Sequence, residues 1–258
     1  MRPIPRLIST DFDGTVFCEG DQPSVPAGLQ RLLAELQAEG ATWVINTGRD
    51  LASLRGAMAE AGLDVQPDYV VVVEREIHLR EGGEFVGLTD WNDRCTDDHQ
   101  TLFAGMEADV PGLFAWIREE HEARVYADLW SPLCFIAASN AEAEAIEAGL
   151  LEYCRGVPDL TVVRNDVYAR FSHTRYNKGT ALAEIARRHG LGPESVLAAG
   201  DHLNDLPMLS RDFAHWLLAP VNAVPQVKEA VRSQGGLVTD QRAGWGLEAG
   251  LRQFLNRP

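Results

Sequence analysis

"LISTDFDGTVF", residues 7–17, begins as a short apolar run and ends in two aspartates, Asp11 and Asp13, followed by Gly14 and Thr15. The run "RLIST" has the make-up of a buried strand. In open α/β sheets ligands bind beyond the carboxyl ends of the strands, which is where Asp11 would stand. Carboxylates are hard oxygen donors suited to Mg²⁺, and two like charges this close need a cation or a proton to coexist. Gly14 permits an unusual turn and Thr15 can hydrogen-bond it locally. Taken alone, the same residues also make an Asp-Gly turn that simply ends a strand.

Outward from this stretch the chain alternates. "PAGLQRLLAELQAEG" carries a helical stripe at Leu29, Leu32, Leu33 and Leu36 that ends at Gly40. "ATWVINT" is strand-like, "DLASLRGAMAEAGL" is a helix opened by Asp50, and "DYVVVV" is a β-branched run fit for a sheet buried on both faces. Strand, helix, strand, helix, strand is the pattern of a parallel α/β sheet. "EIHLREGGEFVGL" reads as a hairpin around Gly82 and Gly83. A different rhythm follows: a long helix from about Asp97 to Glu122, strands in "ARVYADLW" and "LCFIAAS", a helix in "AEAEAIEAGLLEYC", then strands "LTVVRN" and "VYARF". From Lys178 the alternation returns, with helix "GTALAEIARRHG", strand "SVLAAG", a helix after Asn204, strand "HWLLA" and helices around Val227 and Leu251. The expected architecture is a Rossmann-like parallel-sheet core of residues 1–88 and 177–258, with an α+β module of residues 89–176 inserted into it.

Composition narrows the class of partner. The chain has 258 residues, 45% hydrophobic and 24% charged, which suits a packed globular protein. A formal net charge of -15 repels a nucleic-acid backbone or an anionic membrane, so small ligands are expected instead. No apolar run approaches the roughly 20 residues that span a bilayer, and "MRPIPRLIST" lacks the apolar region of a signal peptide. A soluble, cytoplasmic protein is expected. Cys18, Cys95, Cys134 and Cys154 show no Cys-x-x-Cys spacing, so neither zinc nor a disulfide framework is signalled.

Three further places carry chemistry. In "VINTGRD" the Thr47 hydroxyl and the Gly48 N–H could face an anion at a helix N-terminus, or serve only as that helix's cap. In "RYNKGTAL" Lys178 stands at a helix entrance, where the dipole disfavours a cation; a negative partner should compensate it, unless it is a solvated surface lysine. In "VLAAGDHLNDLPML" Asp201 ends an apolar strand, with Asn204 and Asp205 one turn on. Three oxygen-bearing side chains there make a magnesium wall, or an acidic first turn of a helix.

An aspartate pair, a threonine, a lysine and a second acidic group at four strand-to-helix edges resemble the haloacid dehalogenase superfamily, with "DFDGT" and "GDHLND" the specific matches. Little more than a helix and a strand fits between Asp13 and Thr47, whereas on the order of 130 residues separate Thr47 from Lys178. That placement resembles the C2-capped branch, subclass IIB, among the Cof-type and sucrose-phosphatase-like hydrolases, as does the Asn-Ala in "APVNAVPQVKEAV".

The resemblance implies a haloacid dehalogenase core with a C2-type cap. It further implies a Mg²⁺-dependent phosphatase that acts on a small phosphorylated metabolite such as a sugar or polyol phosphate. Asp11 would be the nucleophile that forms an aspartyl phosphate, and Asp13 the acid/base. Mg²⁺ would be held by Asp11, the Asp13 carbonyl and Asp201, with Asn204 or Asp205 fixing its waters or the Lys178 ammonium. Thr47, Gly48 and Lys178 would bind the phosphoryl oxygens. Candidate substrate contacts are Arg49 and, where the module rejoins the core, Arg170, His173, Arg175 and Tyr176; His202 stands where a small residue is usual. "VVEREIHL" replaces the common Asn-Gly after the third strand. A phosphotransferase or phosphomutase on the same scaffold, and a non-catalytic phosphate-binding regulator, are the competing expectations. The sequence carries no sign of an oligomeric state.

Overall fold

The structure, a computed structural model, describes residues 4–256. Residues 1–3 and 257–258, the extreme ends of the expected core, lie outside the described residues. The chain divides into two compact units, one running to Leu88 and resuming at Lys178, the other spanning Thr89–Asn177.

In chain order the elements of the first unit begin with β1 (Leu7–Thr10), α1 (Ala27–Ala38), β2 (Thr42–Asn46), α2 (Leu51–Glu60), β3 (Tyr69–Val72), β4 (Glu76–Glu81) and β5 (Glu84–Gly87). The second unit contributes α3 (Thr89–Met106), α4 (Val110–Glu120), β6 (Arg124–Tyr126), β7 (Cys134–Ile136), α5 (Asn140–Cys154), β8 (Leu160–Asn165) and β9 (Tyr168–His173). The first unit then resumes with α6 (Lys178–Arg188), β10 (Val196–Ala199), β11 (Trp216–Ala219), α7 (Pro225–Ser233), β12 (Leu237–Val238) and α8 (Ala243–Leu255).

The first unit is built on one sheet in the order β12-β11-β10-β1-β2-β3-β4-β5. It is parallel from β12 to β3 and antiparallel in the β4–β5 hairpin at its edge. Every residue of β1, β3, β10 and β11 is buried, as sequences apolar on both faces require. The register decides where the loops emerge. Leu7 pairs with both Val196 and Thr42, and Thr10 with both Ala199 and Ile45, so β1, β10 and β2 end at one edge. The chain runs from β1 to β2 on one side and reaches β10 only after the insertion, so strand order reverses at β1. Reversal points of this kind are where open α/β sheets bind ligands.

In the second unit an antiparallel sheet, β6-β7-β9-β8, turns Phe135, Ala169 and Phe171 toward helical residues such as Ile117, Ile146 and Leu150. Side chains alternate along a strand, so Tyr168, Arg170 and Ser172 of β9 stand on the opposite face.

Two expectations are corrected. The single helix over about Asp97–Glu122 is two helices, and α3 starts earlier, at Thr89. The chain turns between Met106 and Val110, and Pro111, which lacks an N–H, sits in the first turn of α4 where it is tolerated. The helix expected after Asn204 is a single 3₁₀ turn, Leu203–Asp205. Pro207 follows at once, and the Asp205 carboxylate is occupied by the N–H groups of Asp201 and His202. The short strand β12 has no counterpart in the sequence reading. Among the described residues the four cysteines form no disulfide, and Cys95, Cys134 and Cys154 are buried. Among the described residues no helix is long and apolar enough to cross a membrane.

Trp43 of β2 is 1% exposed, and its indole N–H donates to the Thr10 hydroxyl at 3.1 Å. Trp43→Ala is expected to destabilise the first unit by about 3–5 kcal/mol, read from the urea midpoint. A loss within error of zero would show that the β1–β2 pairing does not depend on this side chain.

Candidate active site

Three loops leave the sheet at the shared edge, each on a last ladder hydrogen bond: Asp11 N–H to Ala199 O at 2.9 Å, Thr47 N–H to Val71 O at 2.8 Å, and Gly200 N–H to Leu218 O at 3.2 Å. The edge therefore carries Asp11, Thr47 and, one residue past Gly200, Asp201. After Asp11 the chain reverses tightly, with Gly14 N–H bonded to Phe17 O at 2.8 Å and the Phe12 and Phe17 rings stacked at 5.2 Å. Gly14 is obligatory here. Its φ is +78°, and a Cβ would stand 2.3 Å from Asp201 Oδ2.

Lys178, the first residue of α6, is fully buried. Its Nζ donates to Asp11 Oδ1 and Asp205 Oδ1, both at 2.6 Å. Its main-chain carbonyl accepts from Asn46 Nδ2 at 2.9 Å, which ties the start of α6 to the end of β2. The negative partner that the helix dipole demands is thus present twice. Burial alone would lower the lysine's pKa, but Asp11 and Asp205 outweigh it and push it up, so the ammonium stays charged.

The carboxylates are short of positive charge. Asp11, Asp201 and Asp205 have oxygens within 4.8 Å of one another. Burial pushes the Asp11 carboxyl well above the usual range, and the charges of Asp205 and Asp201 add to this against the pull of Lys178. Asp201 is raised to about 7 by burial and by Asp205, with the Thr15 hydroxyl bond at 3.1 Å opposing. A buried cluster of hard oxygens that cannot all stay ionised beside one ammonium is a donor set that fits a divalent cation. Asp205 is the most committed of the three, its Oδ1 accepting from the Lys178 ammonium at 2.6 Å and its Oδ2 from the Asp201 and His202 N–H groups at 2.8 and 2.9 Å, whereas the two Asp201 oxygens accept only longer bonds, from Thr15 at 3.1 Å and Asn222 at 3.2 Å.

Asp13 is not one of that trio, though its charge adds to the raising of Asp201. Arg49 grips its carboxylate with two parallel bonds, Nε to Oδ2 and an Nη to Oδ1, both 2.7 Å. Such a fork fixes orientation as well as charge. Thr47 is buried and its Oγ1 accepts from Arg49 N–H at 3.2 Å, while Asp50 caps α2 by accepting from Ser53 N–H at 2.9 Å.

Arg170, His173, Arg175 and Tyr176 belong to the second unit. There His173 and Tyr176 pack against the His99 ring at 5.7 and 5.5 Å, and Asp98 accepts from the Tyr176 hydroxyl at 2.6 Å and from Arg175 at 2.9 Å. Arg170 is buried on the sheet face opposite the helices. Burial raises the pKa of Tyr126 and Tyr168 there, and the Arg170 charge opposes it.

Three side chains had no place in the sequence reading of the site. Asn46 fixes Lys178, and Asn222 bonds Gly14 O at 2.9 Å and Asp201 Oδ2 at 3.2 Å. Glu74 accepts from Asn204 Nδ2 at 2.9 Å. Asn222 had left a signal in the Asn-Ala of the C-terminal stretch, and Glu74 one in "VVEREIHL", which stands where an Asn-Gly is usual.

The raised carboxyls set a pH dependence. Between the ordinary aspartate range and about 7 the folded chain keeps a proton on Asp201 that the unfolded chain has released, so this stabilisation is present in acid and lost as pH rises to about 7. Stripped of divalent ions with a chelator, the protein should therefore lose this contribution as pH rises from about 4 to about 7. Protons compete with an ion for the same oxygens, so the rise in melting temperature on adding Mg²⁺ should be larger at about pH 8 than at about pH 5. Thermal scans check both, and an equal Mg²⁺ effect at the two pH values contradicts the charge deficit.

Known proteins share this architecture. A model of the sucrose-6F-phosphate phosphohydrolase family matches residues 4–228. The phosphoglycolate phosphatase of Methanopyrus kandleri is 28% identical over 256 residues, covering 98% of each chain. The 5-amino-6-(5-phospho-D-ribitylamino)uracil phosphatase YcsE of Bacillus subtilis is 24% identical, covering 97% of this chain and 96% of its own. Among solved structures, the sucrose-phosphatase of Synechocystis sp. PCC6803, in complex with sucrose and phosphate, is similar with a TM-score of 0.73 at 21% identity, covering 98% of each chain. With the family matched over most of its length, the chain belongs to the sucrose-6F-phosphate phosphohydrolase family and is a phosphatase of the haloacid dehalogenase type.

Proposed function

We propose that the protein is a Mg²⁺-dependent phosphatase that hydrolyses a sugar or polyol phosphate through an aspartyl phosphate on Asp11. The observation that carries this reading is the buried Lys178 clamped between Asp11 and Asp205 at the end of β1, beside an Asp13 held by Arg49. It supplies a fixed carboxylate nucleophile, a fixed cation and a separate carboxyl for proton transfer.

In this reading an Asp11 oxygen attacks phosphorus; the new O–P bond forms as the ester P–O bond breaks. Asp13 gives its proton to the departing alkoxide, then takes one from the water that attacks phosphorus and regenerates the Asp11 carboxylate. Splitting the displacement in two lowers each barrier, and a placed acid/base adds about 10²- to 10⁴-fold. Lys178, the Thr47 hydroxyl and the Gly48 N–H meet charge on the phosphoryl oxygens, in a buried setting where fixed donors act strongly. When bound by Asp11, Asp201 and the Asp13 carbonyl, with Asn204 orienting its waters, Mg²⁺ would neutralise further phosphoryl charge. Asp205 serves mainly by holding Lys178. Arg49 must release one Asp13 oxygen before that oxygen can carry a proton.

Thr89–Asn177 is read as a C2-type cap that supplies specificity. Its candidates for substrate are Arg170, His173, Arg175 and Tyr176, with Arg49 and His202 from the first unit; of these, His173 and Tyr176 also pack against His99, and Arg175 also bonds Asp98. The relatives are named for phosphate esters of small hydroxylated molecules, which supports a substrate of that class.

Phosphate release from an aryl phosphate and a panel of sugar and polyol phosphates, with and without Mg²⁺, tests the reading. Turnover should require Mg²⁺ and vanish in Asp11→Asn. Asp13→Ala should lose more on sugar phosphates, whose alkoxide needs a proton, than on an aryl phosphate whose leaving group does not. Folded, Mg²⁺-supplied protein that releases phosphate from none of them would sink the proposal in favour of a transferase or a phosphate-binding regulator.

A further inference from the structure

Two consecutive residues after β3 hold a backbone conformation that side-chain-bearing residues seldom adopt, Val73 at φ 45° and Glu74 at φ 68°. For a β-branched valine this is a genuine outlier. Strain of this kind persists where the surroundings over-determine it, and it clusters at ligand sites. The surroundings here are the loop after β2, because Val73 N–H donates to Arg49 O and Glu74 N–H to Thr47 O, both at 2.9 Å.

The kink turns the Glu74 side chain inward. The residue is 6% exposed, its Oε1 accepts from Asn204 Nδ2 at 2.9 Å, and the same oxygen lies 3.3 Å from where a Cβ on Gly48 would stand. Glycine would take this backbone without strain. The glutamate carboxylate is therefore what the strained turn presents, and one of its partners is the Asn204 amide.

An amide has a donor end and an acceptor end. With Nδ2 engaged by Glu74, Oδ1 is the end left to accept, and an oxygen acceptor is what a hard divalent cation or its coordinated water requires. We propose that Glu74 is a positioning residue that locks the Asn204 amide with its oxygen available to the divalent ion and its waters. This rests on the reading of Asp11 and Asp201 as a Mg²⁺ site. Partners one step removed from a metal typically change its affinity by about 10- to 100-fold when lost.

The experiment is calorimetric titration of Mg²⁺ into the chelator-stripped full chain, with thermal melts of each variant. Glu74→Gly relieves the backbone and removes the carboxylate, so it should melt no earlier than wild type yet bind Mg²⁺ about 10- to 100-fold more weakly. Glu74→Asn, which also tolerates the left-handed region, provides the same truncation should the glycine variant melt early. Glu74→Gln keeps an oxygen acceptor for Asn204 and should retain wild-type affinity. Truncated variants that bind Mg²⁺ as tightly as wild type would overturn the assignment. So would a Glu74→Gln as weak as Glu74→Gly, which would move the effect from the hydrogen bond to the charge. If wild type itself takes up no Mg²⁺, the site reading fails and the Glu74 role with it, whereas wild-type binding unchanged by truncation removes Glu74 alone.

Discussion

An ammonium with no exposed surface, shared by two carboxylates 2.6 Å away, is the interaction on which the site depends. Lys178 joins residues 167 positions apart in sequence through Asp11, and so binds the two chain segments that flank the insertion into one unit. Burial makes the contact demanding. Removing one member of such a pair leaves an uncompensated buried charge and typically destabilises by about 3–5 kcal/mol. The lysine reaches its place because Asn46 holds its main chain and because the register of β1 with β10 and β2 brings all three loop exits to one edge. The same geometry that closes the core thus assembles the chemistry, and a slip of one residue in that register would turn Asp11 away from Lys178.

The electrostatics then go one step further than packing needs. One ammonium cannot balance Asp11, Asp201 and Asp205, and the raised proton affinities of Asp11 and Asp201 are the sign of that imbalance. The pair of Asp13 and Arg49 is of a different kind. Its side chains are 41% and 32% exposed, so solvent screens it and its worth lies in orientation more than in stability. A buried, over-negative end beside a half-exposed, oriented acid suits a reaction in which one carboxylate is shielded while another exchanges protons with water.

Much of this was legible in the sequence because it is local. Strands buried on both faces announce themselves as short apolar runs, and Asp11, Thr47 and Asp201 stand out as polar residues that end such runs. The misreadings had local causes too: Pro111 and the turn before it split one helix into two, and Pro207 reduced another to a single 3₁₀ turn. Partnerships across the chain were not legible. Nothing in the spacing of "VINTGRD" tells that Asn46 will bond the carbonyl of Lys178, or that Arg49 will clasp Asp13. Glu74 was visible only as a departure from a familiar pair of residues, and its role needs a backbone angle and a contact 130 positions away. In the second unit the packing of His173 and Tyr176 against His99 was not legible either, because a polar tip does not keep an aromatic ring out of a core.

The central claim is that Asp11, held by Lys178, accepts the phosphoryl group. The most direct measurement is acid quenching during turnover of a radiolabelled phosphomonoester, followed by digestion and localisation of the label. The account predicts Mg²⁺-dependent, base-labile label on the peptide that contains Asp11 and none in Asp11→Asn. Steady turnover with no label at any quench time, or label that persists in Asp11→Asn, would contradict it.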